Sequence, residues 1–247
     1  MNDKEMTAGI LGGMGPDATV DLMRRIIAAT PAEDDADHIR LLVDNDPKVP
    51  SRIKALIEKT GESPAPYMAN MAQGLVKGGA DFLVIPCNTA HKYYDDVANA
   101  VSVPVVNLLE LSAAQILRRY PNIKRVGLLG STALQITQLY TPAFAHYGVE
   151  TLFPGAREQT ALMALIREVK ANVHNDKSIE AFNCAAEDLE DHGAECLLIA
   201  CTELSVISSS LKSALPSFDA AQILAEHVVE RVKGAKASPM IDDESAW

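Results

Sequence analysis

The chain has 247 residues and no apolar run that approaches the ~20 residues needed to cross a bilayer, which argues against a membrane-spanning helix. Its first residues, MNDKEM, lead directly into an apolar segment and lack the charged n-region and the cleavage site of a signal peptide. We therefore expect a cytoplasmic protein with no membrane partner.

Cysteine pairs and basic clusters are also lacking. The four cysteines, at 87, 184, 196 and 201, include no C-x-x-C pair, and no two histidines have zinc-ligand spacing, so we expect free thiols and no structural metal. The net charge is −11, which argues against a nucleic-acid partner because such a surface needs clustered Lys and Arg. An anionic ligand would need a locally basic pocket in this acidic protein.

Short runs rich in Val, Ile and Leu alternate with longer amphipathic segments, which is typical of an α/β protein with parallel strands. Apolar residues make up 48% of the chain, enough for one or two hydrophobic cores. The sequence predicts helices at 63–79 and 176–193, each ended by glycine. It predicts strands near residues 7–12, 39–44, 82–86, 104–107, 125–130, 149–153, 196–200 and 216–218.

An internal repeat indicates how these elements are organised. The segment GGADFLVIPCNT, from Gly78, aligns with HGAECLLIACTE, from His192, at an offset of 114 residues. Two further pairs, GILGGM with GLLGST and VPVVN with LPSFD, align in the same order at offsets of 118 and 112. Three ordered matches at nearly one offset predict two pseudosymmetric α/β domains with parallel sheets and a cleft between them.

These alignments suggest domain boundaries. We expect residues 1–108, with a returning segment 208–235, to form the first half, and residues 109–207 to form the second. The last stretch, 236–247, has no apolar periodicity and is predicted to be a flexible tail, in which Trp247 is a candidate for docking on a neighbour.

Cys87 and Cys201 are each predicted at the carboxyl end of a strand, one per half, where ligands bind in open α/β sheets. If the halves face each other, the two thiols face each other across the cleft. Asn88 or Thr89 in one half, and Thr202 in the other, are candidate helix caps. A helix N-terminus favours anions, so the backbone N–H groups near these residues suit a substrate α-carboxylate.

Two acid/base groups on opposite sides of one small molecule are suited to inverting a carbon centre. One thiolate removes a proton from one face while one thiol delivers a proton to the other. The competing interpretation is that a strand-end cysteine simply fills a core, since cysteine is often buried. We apply that interpretation to Cys184 and Cys196, which have no counterpart in the repeat.

Five motifs are spread over nearly the whole chain: GILGGMGP at 9–16, NDPKVPSR at 45–52, GADFLVIPCNTAH at 79–91, GLLGST at 127–132 and GAECLLIACTE at 193–203. Together they resemble the aspartate/glutamate racemase family, and most closely its aspartate racemase branch. The resemblance implies racemisation by two cysteines without pyridoxal phosphate or metal, in two pseudosymmetric domains, usually in a homodimer.

The resemblance also implies roles for individual residues. The catalytic pair falls on Cys87 and Cys201, with Cys87 acting on the D-enantiomer and Cys201 on the L-enantiomer. Arg52 and Lys170 match the residues that bind the side-chain carboxylate of an acidic amino acid. The α-carboxylate contacts fall on Asn88, Thr89, Thr132 and Thr202, and Met14 lines the same cleft.

Three positions depart from the family's usual pattern. The loop that often reads Asn-Asn-Pro and then Pro-Asp-Arg has Asp46 and Ser51 here, and a carboxylate at 46 is a candidate for altering side-chain selection. Glu203 stands where the glutamate branch usually has a histidine, which favours aspartate over glutamate. Glu203 either tunes the proton of Cys201 or caps the following helix.

His91 is the last residue of the motif that contains Cys87. It either assists catalysis or is a helix-start histidine with satisfied hydrogen bonds.

Other functions remain open at this point. A broad-specificity amino-acid racemase and a maleate-isomerase-like enzyme both fit a two-cysteine site. A non-catalytic amino-acid-binding protein fits a two-lobed α/β plan. The run GMGPDA at 13–18 satisfies the G-x-G-x-x-A pattern of a dinucleotide site, although the acidic Asp44 lies 26 positions past Ala18, which is somewhat far.

Overall fold

The computed structural model describes residues 5–234, and the expected tail at 236–247 lies outside this range. The described chain forms two parallel β-sheets, each covered by helices, which confirms the predicted α/β class. The first sheet has three strands and the second has four. Within residues 5–234, no helix combines the length and the apolar character that crossing a bilayer requires.

The first half contains three strands and three helices. A π-helical turn at Lys54–Glu58 and a 3₁₀ turn at Thr89–Tyr93 join them. The elements are β1 Ala8–Gly12, α1 Pro16–Ala29, β2 Leu41–Asn45, α2 Ala65–Lys77, β3 Phe82–Val84 and α3 Tyr94–Ala98.

The second half repeats this arrangement with additional helices and one additional strand. Its elements are α4 Leu108–Arg119, β4 Arg125–Leu129, α5 Thr132–Thr137, α6 Thr141–Ala145, β5 Glu150–Leu152, α7 Ala156–Ala171, α8 Asp176–Asp191, β6 Cys196–Ile199, α9 Thr202–Val206, β7 Ser217–Asp219 and α10 Ala220–Lys233.

The aligned motifs occupy equivalent places in the two sheets. The strand order is β2-β1-β3 in the first sheet and β5-β4-β6-β7 in the second. β1 and β4 are therefore inner strands, and β3 and β6 lie beside them. The backbone N–H of Leu83 donates to Pro104 O, and that of Leu197 donates to Pro216 O, each at 2.9 Å. The structure therefore supports the duplication inferred from the sequence.

The predicted strand at 104–107 is wrong, since Val105 makes only an isolated bridge to Leu83. Its counterpart in the second half is the three-residue strand β7. Pro86 stands where the second half has Ala200, whose N–H donates to Leu129 O at 2.8 Å. Proline has no N–H to donate, so β3 ends earlier than β6 and leaves less strand for a neighbour to pair with.

The segment 208–235, expected to return to the first half, is divided in the structure. β7 is the edge strand of the second sheet, so that part of the expectation is wrong. Helix α10 packs against α1 of the first half and against α4. One apolar core lies between the two sheets and takes side chains from both, among them Ile10, Val84, Leu128 and Leu198.

Candidate active site

The two cysteines that the repeat singled out lie in the turns that follow β3 and β6. Cys87 is 7% exposed and Cys201 is 6% exposed, and both line the same cleft, which is partly open to solvent. The cleft is lined by Met14, Ser51, Arg52, Ile53, Cys87, Thr89, Ser131, Met163, Ile166, Lys170, Cys201 and Glu203. The geometry therefore places one thiol from each half at one cavity.

Most of the site residues expected from the sequence line this cleft, and three lie behind it. Those at the cleft are Met14, Arg52, Cys87, Thr89, Lys170, Cys201 and Glu203. Those that do not line it are Asn88, Thr132 and Thr202, of which Asn88 and Thr202 are buried.

The side chains of Asn88, Thr89 and Thr202 do not cap the helices that follow the two cysteines, so that prediction is wrong. The Asn88 Oδ1 accepts a hydrogen bond of 2.6 Å from the Tyr140 hydroxyl, and its buried Nδ2 has no partner within residues 5–234. The Thr89 hydroxyl pairs with the Ser131 hydroxyl at 3.1 Å. The Thr202 hydroxyl donates to Pro86 O at 3.1 Å. These polar groups are used for contacts between distant segments, which the local sequence does not reveal.

Glu203 joins Cys201 to Lys170. The Cys201 thiol donates to Glu203 Oε2 at 3.1 Å, and Glu203 Oε1 lies 3.2 Å from Lys170 Nζ. Burial raises the pKa of the Cys201 thiol well above its ordinary value; the charge of Glu203 raises it further, and Lys170 opposes this. Cys201 is therefore a thiol at neutral pH, and Glu203 contacts its proton rather than only capping a helix.

Lys170 is a cation at the edge of the cleft, and its side chain is 36% exposed. Partial loss of solvent lowers its pKa, as does Arg52, but the neighbouring Glu203 carboxylate and, to a smaller extent, the two cleft cysteines act in the opposite direction, so that the pKa is raised. The Lys170 ammonium therefore gives the cleft a positive charge, although the protein as a whole has a net charge of −11.

Arg52, in the loop after β2, is held by two carbonyls of its own loop and by one carbonyl of the turn after β1. Its Nη1 donates to Pro50 O at 3.0 Å and to Val49 O at 3.3 Å, and its Nη2 donates to Met14 O at 3.1 Å. A guanidinium has five N–H donors, so two remain for a ligand. The cleft thus carries one cation from each half.

His91 supports the Cys87 turn from behind. The Leu108 N–H donates to its Nε2 at 3.0 Å, so Nδ1 carries the proton and donates to Cys87 O at 2.9 Å. Complete burial lowers its pKa, opposed by these hydrogen bonds, and keeps the ring neutral. Both ring nitrogens are occupied and the side chain does not line the cleft, so the helix-start interpretation of His91 fits the structure.

The expectations for other residues had mixed outcomes. Cys196 is buried as expected, and burial raises its pKa to about 12. Cys184 is exposed on α8, so its assignment to the core is wrong. Met163 is 7% exposed and lines the cleft. The Asp46 carboxylate accepts from Lys48 N–H at 2.8 Å within its own turn and does not line the cleft.

A family model for Asp/Glu/Hydantoin racemase matches residues 11–228. The chain belongs to this family. It is similar to the aspartate racemase of Picrophilus torridus, with 30% identity and a TM-score of 0.79 over 92% of this chain and 94% of that one. It is 28% identical over 225 residues to the broad specificity amino-acid racemase RacX of Bacillus subtilis (strain 168), covering 90% of this chain and 96% of that protein.

A structure of an aspartate racemase homologue from Pyrococcus horikoshii OT3 shares the fold at 23% identity, with a TM-score of 0.72 over 92% of this chain and 99% of that one.

Reasoning from the sequence missed several residues that line the cleft. Ser131, Ile53 and Ile166 line the cleft. Ser131 lies inside the aligned motif GLLGST, directly before Thr132, so the repeat carried a signal for it. Ile53 and Ile166 had no such signal, since an apolar residue on a helix or helical turn is most often part of the core.

The glycine-rich turn after β1 serves the cleft. Gly13 has φ of +87°, and a side chain there would meet the Asp46 backbone at 2.2 Å, which explains why glycine is needed. A Cβ on Gly15 would lie 3.4 Å from Glu203 Oε1. A carboxylate at the start of α1 repels phosphate, which counts against the dinucleotide interpretation. Within residues 5–234, no group of three or more His, Cys, Asp or Glu side chains is arranged to hold a metal ion.

Proposed function

We propose that the protein racemises acidic amino acids, aspartate before glutamate, by transferring a proton between Cys87 and Cys201 without pyridoxal phosphate or metal. The observation that carries the proposal is the pair of equivalent thiols, one from each half, in one cleft that also holds two cations. We further expect a homodimer, as the family resemblance suggests, and a cytoplasmic location, as expected from the sequence.

The contacts at Cys201 favour a starting protonation state for the reaction. Cys201 is a thiol bonded to Glu203, so it is the proton donor of the free protein, and Cys87 is the base. The Cys87 thiolate takes the α-proton from one face, the electron pair stays on the α-carbon, and the Cys201 thiol gives its proton to the other face. The inverted product leaves with Cys87 as thiol and Cys201 as thiolate, and the reverse reaction exchanges these roles.

The surrounding residues have distinct parts in binding. The hydroxyls of Thr89 and Ser131, which both line the cleft, are donors for the α-carboxylate. Arg52 and Lys170 supply the positive charge for a side-chain carboxylate, since charge-assisted hydrogen bonds are the strong ones. Because the α-proton is far less acidic than a thiol, fixed geometry must contribute much of the rate.

A second candidate is a broad-specificity amino-acid racemase. Glu203 already pairs with Lys170, so one of the two cations is partly neutralised. Ile53, Met163 and Ile166 give the cleft an apolar wall. Both features favour neutral side chains, and RacX is a relative of this kind.

Proton NMR in D₂O tests the proposal directly. Metal-free, pyridoxal-free protein is incubated with L-aspartate, L-glutamate and L-alanine, and the products are separated by chiral chromatography. We expect the α-proton signal of aspartate to disappear fastest while D-aspartate appears. Equal or faster exchange of alanine would favour the broad-specificity candidate. Binding without α-proton exchange would contradict racemisation and indicate a binding protein, and inertness towards all three makes maleate the next substrate to test.

A further inference from the structure

Arg25 connects the first half of the molecule to the helix that follows Cys201. It lies on α1, where its Nε donates to Asp21 at 2.7 Å within the same helix. Its Nη2 crosses to the second half and donates to Ser205 O at 2.6 Å and to the Ser208 hydroxyl at 3.3 Å. The side chain is only 17% exposed, so these bonds are formed largely out of water.

The same guanidinium also holds the start of α10. Its Nη1 lies 3.1 Å from Asp219 Oδ2 and 3.2 Å from Gln222 Oε1. Asp219 Oδ1 accepts from the Ala221 N–H at 2.9 Å and from the Ser205 hydroxyl at 2.6 Å. Burial raises the pKa of Asp219, while Arg25 and these hydrogen bonds act in the opposite direction. The arginine therefore gives a buried carboxylate its countercharge and ties two helices of the second half together.

Ser205 passes this connection to the cysteine. Its N–H donates to Cys201 O at 3.0 Å, and its hydroxyl lies 3.4 Å from the same carbonyl. Arg25 is therefore linked to the Cys201 backbone through a single residue. A planar guanidinium forks between two acceptors in a fixed geometry, which a lysine ammonium does not reproduce.

Helix α1 borders the cleft at its other end. Met14, two residues before α1 begins at Pro16, lines the cleft, and Gly15 lies close to Glu203. The element that carries Arg25 thus touches the site at its N-terminus, and about two and a half turns later it contacts the segment that follows Cys201. A rigid element fixed at both places sets the position of one wall relative to the other.

We propose that Arg25 is a positioning residue that fixes Cys201, on the second half, relative to the first half and its thiol Cys87. The functional part of this inference rests on the proposed racemisation. The positional part concerns Cys201 itself and is measurable without any substrate.

The test compares Arg25→Ala with Arg25→Lys and with Arg24→Ala, an exposed neighbour on the same helix. For aspartate, Arg25→Ala should lower kcat by on the order of a hundredfold with KM changed by less than about threefold, since small misplacements of reacting groups have effects of this size. Arg24→Ala should match the wild type, and Arg25→Lys should fall between the two.

Alkylation by iodoacetamide, resolved by mass spectrometry of peptides containing Cys87 and Cys201, provides the substrate-free readout. In Arg25→Ala, the alkylation rate of Cys201 should rise several-fold while that of Cys87 stays near its wild-type rate. Far-ultraviolet circular dichroism checks that each variant is folded. If Arg25→Ala does not fold, Arg25→Lys carries the test, because it keeps the charge beside Asp219 and loses the fork to Ser205.

Parallel changes at both cysteines, or unchanged Cys201 reactivity with unchanged kcat, would overturn the inference. A wild type that racemises none of the tested amino acids, together with a selective change at Cys201 in the variant, would refute the proposed function and keep the positional role.

Discussion

The turn after Cys87 and the turn after Cys201 are equivalent in the fold but are held by different chemistry. Four residues after each cysteine, a side chain reaches back to its carbonyl: His91 in the first half and Ser205 in the second. His91 spans to the N-terminus of α4 with a neutral ring. Ser205 belongs to a charged group that contains Asp219 and Arg25.

The position two residues after each cysteine differs as well. Thr89 bonds to Ser131 and leaves Cys87 without a neighbouring carboxylate from its own turn. Glu203, at the equivalent place, accepts a hydrogen bond from the Cys201 thiol. The two turns thus share the position of the cysteine, but differences at two positions make the surroundings of the thiols unequal: Cys201 has a carboxylate acceptor from its own turn and Cys87 does not.

Removing either thiol should cause the largest loss of activity and tests whether both thiols are needed. We expect Cys87→Ala and Cys201→Ala each to lower racemisation by at least about a thousandfold, because each lacks one of the two proton-transfer groups. Chiral chromatography of aspartate incubations measures this loss. Cys184→Ala, an exposed thiol outside the cleft, is the matched control and should retain wild-type activity. Wild-type rates in either cleft variant would exclude a two-thiol mechanism.

The cations from the two halves offer the next comparison. Arg52→Ala should lower kcat/KM for aspartate by roughly tenfold to a hundredfold, the value of one charge-assisted hydrogen bond, and should affect alanine far less. Steady-state kinetics with both substrates measure the difference. Equal losses for aspartate and alanine would show that Arg52 does not recognise the side-chain carboxylate.

Replacing Glu203 by glutamine should remove the carboxylate charge that distinguishes the surroundings of Cys201 from those of Cys87. Burial and then the Glu203 carboxylate raise the pKa of Cys201, so removal of the carboxylate charge lowers that pKa. The high-pH limb of the kcat/KM profile, where the acid Cys201 loses its proton, should move to lower pH. Because the two enantiomers are equal in energy, both directions must show the same shift. An unmoved limb would contradict the role of Glu203, and Glu195→Gln on the surface is the control.

The smallest expected effect concerns His91 and appears in stability. His91→Gln should lower the free energy of unfolding by about 1–3 kcal/mol, since it disturbs buried hydrogen bonds of Cys87 O and Leu108 N–H. The ring stays neutral when folded but titrates near 6.5 when unfolded, so its stabilisation is present above that pH and is lost as the pH falls below it.

Urea unfolding at several pH values measures both the loss and its pH dependence, and the variant should lack this part of the pH dependence. A variant as stable as the wild type at every pH would contradict the supporting role of His91.

The positions of the two thiols could be predicted from the sequence because they depend on short-range features. A strand followed by Cys at its carboxyl end repeats at one offset, and parallel strands bring such ends to one edge. The partners of the surrounding polar groups could not be predicted in this way. Asn88 bonds to Tyr140, 52 positions away, and Arg25 bonds to Ser205, 180 positions away. Such pairs depend on tertiary packing, which a single sequence does not encode in any local pattern.

The division of roles between helix caps and cleft residues was missed for the same reason. Threonine is a residue type that often caps helices, but the Thr202 hydroxyl donates instead to Pro86 O, 3.1 Å away. Lys170 was assigned to the cleft through the family resemblance, whereas its pairing with Glu203 emerged only from the structure.

The apolar core between the sheets has a consequence for how the molecule unfolds. Because side chains from both sheets contribute to it, neither half has a complete interior when the other is absent. Separating the halves would expose that face to water, at a cost of about 25 cal/mol for every Å² of apolar area. We therefore expect the halves to unfold together, in a single calorimetric transition with equal calorimetric and van't Hoff enthalpies.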